Sequence, residues 1–193
     1  MARTKQFNEQ ATLEKAMMLF WRNGYYATSV QELVDELGVN RASLYATYGD
    51  KRQLFERAFA HYRATNSKAL TRFFAEQKSV KTAFRTLFQR AIAEELHQAE
   101  QKGCFVVNTI AELLPEDAGM LPSIQENQQF FEELFYHFLL SGQANGELRS
   151  DRDWRAVAEM LFMLYSGLKL LAKTQPKEAA LQRAVEQALS LLE

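Results

Sequence analysis

The stretch VNRASLYATYGDKRQLFERAF, Val39 to Phe59, sets Asn40, Arg41, Ser43 and Thr47 within about two helical turns, with Tyr45 and Tyr48 among them and Lys51 just past a Gly49-Asp50 break. These are hydrogen-bond donors, acceptors and cations. They suit the reading of base edges and the clasping of phosphate oxygens rather than the breaking of a bond. A core helix would not leave such a face with nothing apolar to bury, so something outside the chain should meet it.

Other chemistry is scarce. The chain has no G-x-S-x-G elbow, no phosphate-binding loop, no dinucleotide glycine fingerprint and no H-E-x-x-H. Its three histidines, His61, His97 and His137, are single and widely spaced, which leaves few general bases and no expected metal site. The expectation is a protein that is not an enzyme and needs no cofactor.

The elements that must position the polar face are helices. Leu13, Ala16, Met17, Phe20 and Trp21 recur at helical spacing, and that first helix ends near Asn23-Gly24. Ser29-Val30-Gln31-Glu32 is a capping box opening a second helix, with Val30, Leu33, Val34 and Leu37 as its apolar stripe and Gly38 as its stop. A short third helix runs from about Asn40 to Thr47. Asp50 caps a fourth that begins at Lys51 and continues to about Glu76, turning Leu54, Phe55, Ala58, Phe59 and Tyr62 inward. Longer amphipathic helices follow at about 80–101, 104–114, 123–143, 151–173 and 177–192, separated by breaks at Lys102-Gly103, Pro115 to Pro122, Asn145-Gly146 and Gln175-Pro176. The fold class is therefore all-α: a three-helix head over residues 1–50, and a larger helical body over 51–193 entered through the long linking helix.

Composition fits that reading. The chain has 193 residues, 47% hydrophobic and 24% charged, with 14 Phe and only 3 Pro, which suits aromatic-rich helices. A net charge of −1 excludes a globally basic nucleic-acid coat, but phosphate affinity follows local charge. Residues 39–57 hold Arg41, Lys51, Arg52 and Arg57 against Asp50 and Glu56, and the tail adds Arg3 and Lys5. The single cysteine, Cys104, excludes an intramolecular disulfide. No apolar run is long enough for a membrane span, and MARTKQFNEQ has no apolar signal core. A cytoplasmic protein without a membrane partner is expected.

Helix two, the Gly38 turn and helix three form a helix-turn-helix, whose second helix enters the DNA major groove. The hydroxyls of Tyr45 and Tyr48, the Lys51 ammonium and the free amides opening helices two and four are phosphate clamps in this reading. The spacing Thr28-Ser29-Val30, Leu33-Val34, Leu37-Gly38-Val39, then LYxxYxxKxxL from Leu44 to Leu54, resembles the N-terminal domain of the tetracycline-repressor-like (TetR) family, and Gly24-Tyr25-Tyr26-Ala27-Thr28 resembles its GYxxT junction. The resemblance covers about residues 8–60. It implies that Tyr45 and Lys51 touch phosphate, that Ser29 and Gln31 approach DNA, and that Arg41, Ala42, Ser43 and Thr47 face the groove of double-stranded operator DNA. Ala46 and Thr47 replace the bulkier pair common in the family, so the contact area there is smaller.

One such head reads little DNA, so a homodimer on a near-palindrome is expected. The resemblance implies that the last two helices, through Trp154, Leu161, Tyr165, Leu181, Val185 and Leu189, pack against their copies as a four-helix bundle. The body is rich in large apolar groups. Phe88, Phe105, Phe131, Phe135 and Met163 either line a cavity for an apolar or aromatic small-molecule effector or fill a core. Asn108 and Glu112, one turn apart in an otherwise apolar helix, need partners or a ligand if they face inward. Cys104, at a helix start where free amides favour a thiolate, is open to two readings, a reactive sensor or a small packing residue. Two functions follow from these residues: a ligand-responsive repressor released from DNA by its effector, or a helical protein-interaction module that no longer binds DNA.

Overall fold

The computed structural model describes residues 7–97 and 102–193; the basic tail residues Arg3 and Lys5 and the last positions of the predicted 80–101 helix lie outside them, as does the side chain of His97. The described residues are all-α. In chain order the helices are α1 (Glu9–Asn23), α2 (Val30–Leu37), α3 (Arg41–Tyr48), α4 (Lys51–Ala75), α5 (Val80–His97), α6 (Phe105–Leu113), α7 (Leu121–Ala144), α8 (Trp154–Leu171) and α9 (Glu178–Leu189), with short 3₁₀ turns before α7 and after α8 and α9.

The starts of these helices follow local side-chain chemistry. Asn8, Asn40 and Asp50 each accept a hydrogen bond from an amide in the first turn of α1, α3 and α4, and Ser29 and Glu32 complete their reciprocal box at 3.1 and 2.7 Å. Helix α7 begins earlier than the two prolines suggest. Pro122 sits in its first turn, where a missing N–H costs nothing and a fixed φ favours the helix.

Two apolar clusters hold the chain. One joins α1–α3 and the first half of α4, through Phe20, Leu33, Leu44, Phe55 and Phe59, to Phe105, Leu113 and Ile124 of α6 and α7. The other packs Phe74, Phe84, Phe88, Phe135, Leu139 and Leu161, with the inner stripe of α9, into the body core. Helix α4 contributes to both, so it ties head to body.

Glu147, just past the end of α7, caps α5 from outside. It accepts the Ser79 hydroxyl at 2.6 Å and the Val80 and Lys81 amides at 2.8 and 3.0 Å. Burial alone would raise its pKa, but these hydrogen bonds and the Lys81 ammonium outweigh it and hold the carboxyl below its ordinary value. A depressed carboxyl stabilises the fold above its unfolded pKa, and that contribution is lost as pH falls through the lower folded value. Glu147→Gln should therefore lower stability at neutral pH by about 1–2 kcal/mol. In denaturant unfolding, the gap from wild type should narrow once pH drops below about 4.3, the ordinary glutamate value.

Candidate functional site

Helices α2 and α3 meet at Gly38, whose φ of 65° is the left-handed conformation that glycine adopts at least cost. The turn buries Leu33, Leu37, Val39 and Leu44 against α1 and α4 and leaves the opposite face of the pair open. Ser29, Gln31, Arg41, Ala42 and Tyr45 are exposed, and Ser43 and Thr47 are half-exposed. Gln31 is steadied by Asp35 at 2.9 Å, and the Arg41 guanidinium lies 5.9 Å from the Tyr45 ring centroid. The half-buried Lys51 ammonium sits 4.4 Å over the Tyr25 ring. Burial pulls its pKa down, with Glu112 and Glu32 opposing. These residues form one continuous polar strip along α3 and the openings of α2 and α4.

Tyr48 does not belong to that strip. Its side chain is 2% exposed, and its hydroxyl donates to the Glu9 carbonyl at 2.9 Å. The residue pins α3 to the start of α1, and a phosphate cannot reach it.

The two polar residues of α6 also differ from expectation. Glu112 accepts the amides of Tyr25 and Tyr26 at 2.9 and 2.8 Å, so it clamps the turn between α1 and α2. That turn needs Gly24, whose φ is 87° and where a Cβ would stand 2.8 Å from the Glu112 carboxylate. Asn108 donates to the Lys102 carbonyl and accepts from the Lys173 ammonium, and it lines neither of the two cavities described below. Nearby, Arg52 of α4 pairs with Asp117 at 2.5 Å and with Glu56 at 2.7 Å. The backbone partners of Glu112 stand 86 and 87 positions away in sequence, beyond the reach of local patterns.

The body contains two adjacent cavities. The larger, about 530 Å³, lies between α1, α4, α5 and α8. Trp21, Tyr62, Phe73 and Leu87 are among its apolar walls, and Arg90, Glu94, Glu95, Lys102 and Lys169 supply charge. Lys169 donates to Glu95 at 3.2 Å, and Glu95 also accepts the Gly103 amide at 3.1 Å. Burial works to lower the Lys169 pKa, but Tyr165 and Glu95 outweigh it and hold it above its ordinary value.

The smaller cavity, about 260 Å³, is lined by Phe131 and Met163 together with Val107, Ile110 and Asn127. Phe88, Phe105 and Phe135 line neither cavity and are fully buried. Phe105 meets Phe55, Phe59 and Tyr62 edge-on, which makes it packing between head and body. Cys104 is half-buried beside the smaller cavity, and its sulfur accepts the Tyr62 hydroxyl at 3.8 Å.

The residues expected to pair two protomers also face inward. Trp154, Leu161, Leu181, Val185 and Leu189 are between 0 and 9% exposed, and the Trp154 indole donates to the Arg149 carbonyl at 3.0 Å. Tyr165 lines both cavities. The apolar stripes of α8 and α9 cover α5 and α7 of their own chain. Periodicity locates such a stripe but does not say what covers it.

A compact helical head presenting a polar second helix, mounted on a hollow helical body, defines a helix-turn-helix DNA-binding protein. The family model described as "Bacterial regulatory proteins, tetR family" matches residues 13–58, and "Tetracyclin repressor-like, C-terminal domain" matches residues 81–188. The chain is 34% identical over 194 residues to the uncharacterized HTH-type transcriptional regulator YezE of Bacillus subtilis, covering 100% of both chains. It is 31% identical over 172 residues to the HTH-type transcriptional repressor ComR of Escherichia coli, covering 89% of this chain and 82% of that one. Among solved structures, a cysteine mutant of the TetR-family regulator CifR complexed with 26-bp operator DNA superposes with a TM-score of 0.86 at 26% identity, over 100% of both chains. This chain belongs to the TetR family. It is a DNA-binding transcriptional regulator and not an enzyme.

If Lys51 is the phosphate contact expected of it, Tyr48 and Lys51 respond differently to substitution. Tyr48→Phe should cost about 1 kcal/mol of stability through its lost hydrogen bond while leaving the DNA affinity of the folded protein unchanged. Lys51→Ala should reduce the slope of log affinity against log salt by about 1. Titrations of one duplex at several salt concentrations, alongside thermal melts, separate the two effects.

Proposed function

We propose that this protein is a ligand-responsive transcriptional repressor that binds palindromic operator DNA as a homodimer in the cytoplasm and is released by an apolar or aromatic small molecule. One observation carries the proposal: the exposed polar strip of α3 stands on α4, and α4 is itself a wall of the larger cavity. Residues 1–50 serve as the DNA-reading head and 51–193 as the sensing and pairing body. Ser29, Gln31, Arg41, Ala42, Ser43, Tyr45, Thr47 and Lys51 are the contact residues in this reading. The repressor named among its relatives and the operator-bound structure of CifR support the assignment.

An effector in the larger cavity would touch Trp21 of α1, Tyr62 and Phe73 of α4 and Tyr165 of α8 at once. If it favours one spacing of the heads, its differential affinity sets how far DNA binding weakens. Pairing uses the outer face of the C-terminal end of α8, where Leu170 and Leu171 are 46 and 55% exposed and Gly167 leaves room for close approach.

Fluorescence anisotropy on duplexes flanking the protein's own gene tests the whole proposal. Tight binding to one palindrome, steeply weakened by salt, is the expected result. Absence of sequence preference at every salt concentration would replace this reading with that of a helical interaction module. In sedimentation runs, Leu170→Asp with Leu171→Asp should shift the species from dimer to monomer and weaken operator binding at least tenfold. A monomeric wild type would remove the pairing surface.

A further inference from the structure

The smaller cavity contains an unmet polar group. Asn127 of α7 is 5% exposed and lines the cavity, and among the described residues its side-chain oxygen accepts no hydrogen bond. A buried acceptor without a donor is costly, and native structures keep few of them. Val106, Ile110, Phe131 and Phe162 make apolar walls around it, and the neutral polar Asn66, Gln128 and Ser166 of the same lining do not donate to its oxygen among the described residues. Lys169 is the one charged residue of the lining, and it is already paired with Glu95. An anionic ligand would have to compete with Glu95 for that ammonium. A second cation would face Lys169 with no carboxylate in the lining to balance it.

We infer that the smaller cavity binds a neutral, mostly apolar alcohol or phenol whose hydroxyl donates to Asn127. This rests on the reading of the body as an effector-binding unit and names the chemical class that its second chamber selects. Size limits the ligand further. A dry cavity of about 150 Å³ takes benzene, so about 260 Å³ takes a molecule of about ten non-hydrogen atoms. The mouth lies beside Met163 and Ile110, both exposed. Asn66, Tyr165 and Lys169 line both cavities, so occupancy of the small chamber presses on the wall of the large one.

The test uses two probes of equal size, 2-phenylethanol and propylbenzene, which differ by a hydroxyl in place of a methyl group. Each is titrated calorimetrically into the full-length protein, without DNA, for wild type, Asn127→Leu and Met163→Trp. Asn127→Leu should weaken 2-phenylethanol about tenfold, the loss of one buried hydrogen bond, while propylbenzene binds as well or better. Met163→Trp, at the mouth, should weaken both. The apo Asn127→Leu protein should melt no lower than wild type, because it removes an unpaired acceptor. Parallel changes for the two probes would overturn the inference, as would a wild type that binds propylbenzene but not 2-phenylethanol, or neither probe at millimolar concentration. Because no DNA is present, failure here leaves the operator result standing. Failure to bind an operator would likewise leave these affinity ratios unchanged.

Discussion

The backbone amides of Tyr25 and Tyr26 leave α1 at the turn into α2, and both donate to the Glu112 carboxylate of α6. The Tyr25 amide is partly buried, where an unmet donor costs about as much as a broken hydrogen bond, and Gly24 holds a positive φ so that the carboxylate can approach. The head is thus held by a side chain of the body at the point where its own chain reverses. Tyr26 adds a bond from its hydroxyl to Glu116 at 3.2 Å, and Arg52 adds its pair with Asp117. Three carboxylates within and just after α6 therefore fix the turn into α2 and the first turn of α4.

Aromatic packing makes the same joint stiff. Phe105, the first residue of α6, presents its ring to Phe55, Phe59 and Tyr62 along one side of α4, with centroids 5.5 to 5.8 Å apart. Edge-on pairs at such separations stabilise beyond the area they bury. Helix α4 continues past them to Leu70 and Phe74 in the body core. Its 25 residues span about 37 Å at the usual rise per residue. It acts as a strut between the clusters, and the larger cavity opens along its middle, between Tyr62 and Phe73.

Much of the head was legible because its signals are local. The Ser29–Glu32 box, the Asp50 cap and the apolar spacing of α1 to α4 all operate within one or two turns, and each lies where the residue pattern put it. The errors fall where a partner is remote. Tyr48 shares its neighbours' polarity, but its hydroxyl is met by Glu9, 39 residues upstream. Glu112 and Asn108 look like ligand-facing polar groups only until the α1–α2 turn and Lys173 come into contact with them. For α8 and α9 the spacing gave an apolar stripe correctly, but α5 and α7 supply the cover, and the outer face with Met163 and Leu170 carries no strong pattern of its own. Asn127, an isolated asparagine in a long helix, reads from the residue pattern as a surface residue. Its burial is set by α6 and α8 closing over it.

The arginines of the head sharpen the account of its charge. Arg52 is engaged by Glu56 and Asp117, and Arg57 donates to the Thr47 carbonyl at 3.2 Å while lying against the Tyr48 ring. Both hold the head together, which leaves Arg41 and Lys51 as the cations on the polar strip. The opening of α2 adds the Val30 and Gln31 amides, since the capping box uses those of Ser29 and Glu32. With so few candidate phosphate partners among its described residues, one such head would bind DNA weakly alone, because nonspecific affinity grows with each phosphate neutralised. In the proposed dimer, two heads held at one spacing would roughly double that number, and a spacing that misses the second half-site would forfeit half of it. In that proposed dimer, the sparse charge of each head would make head spacing, rather than the contacts themselves, the quantity through which an effector in the body acts on DNA.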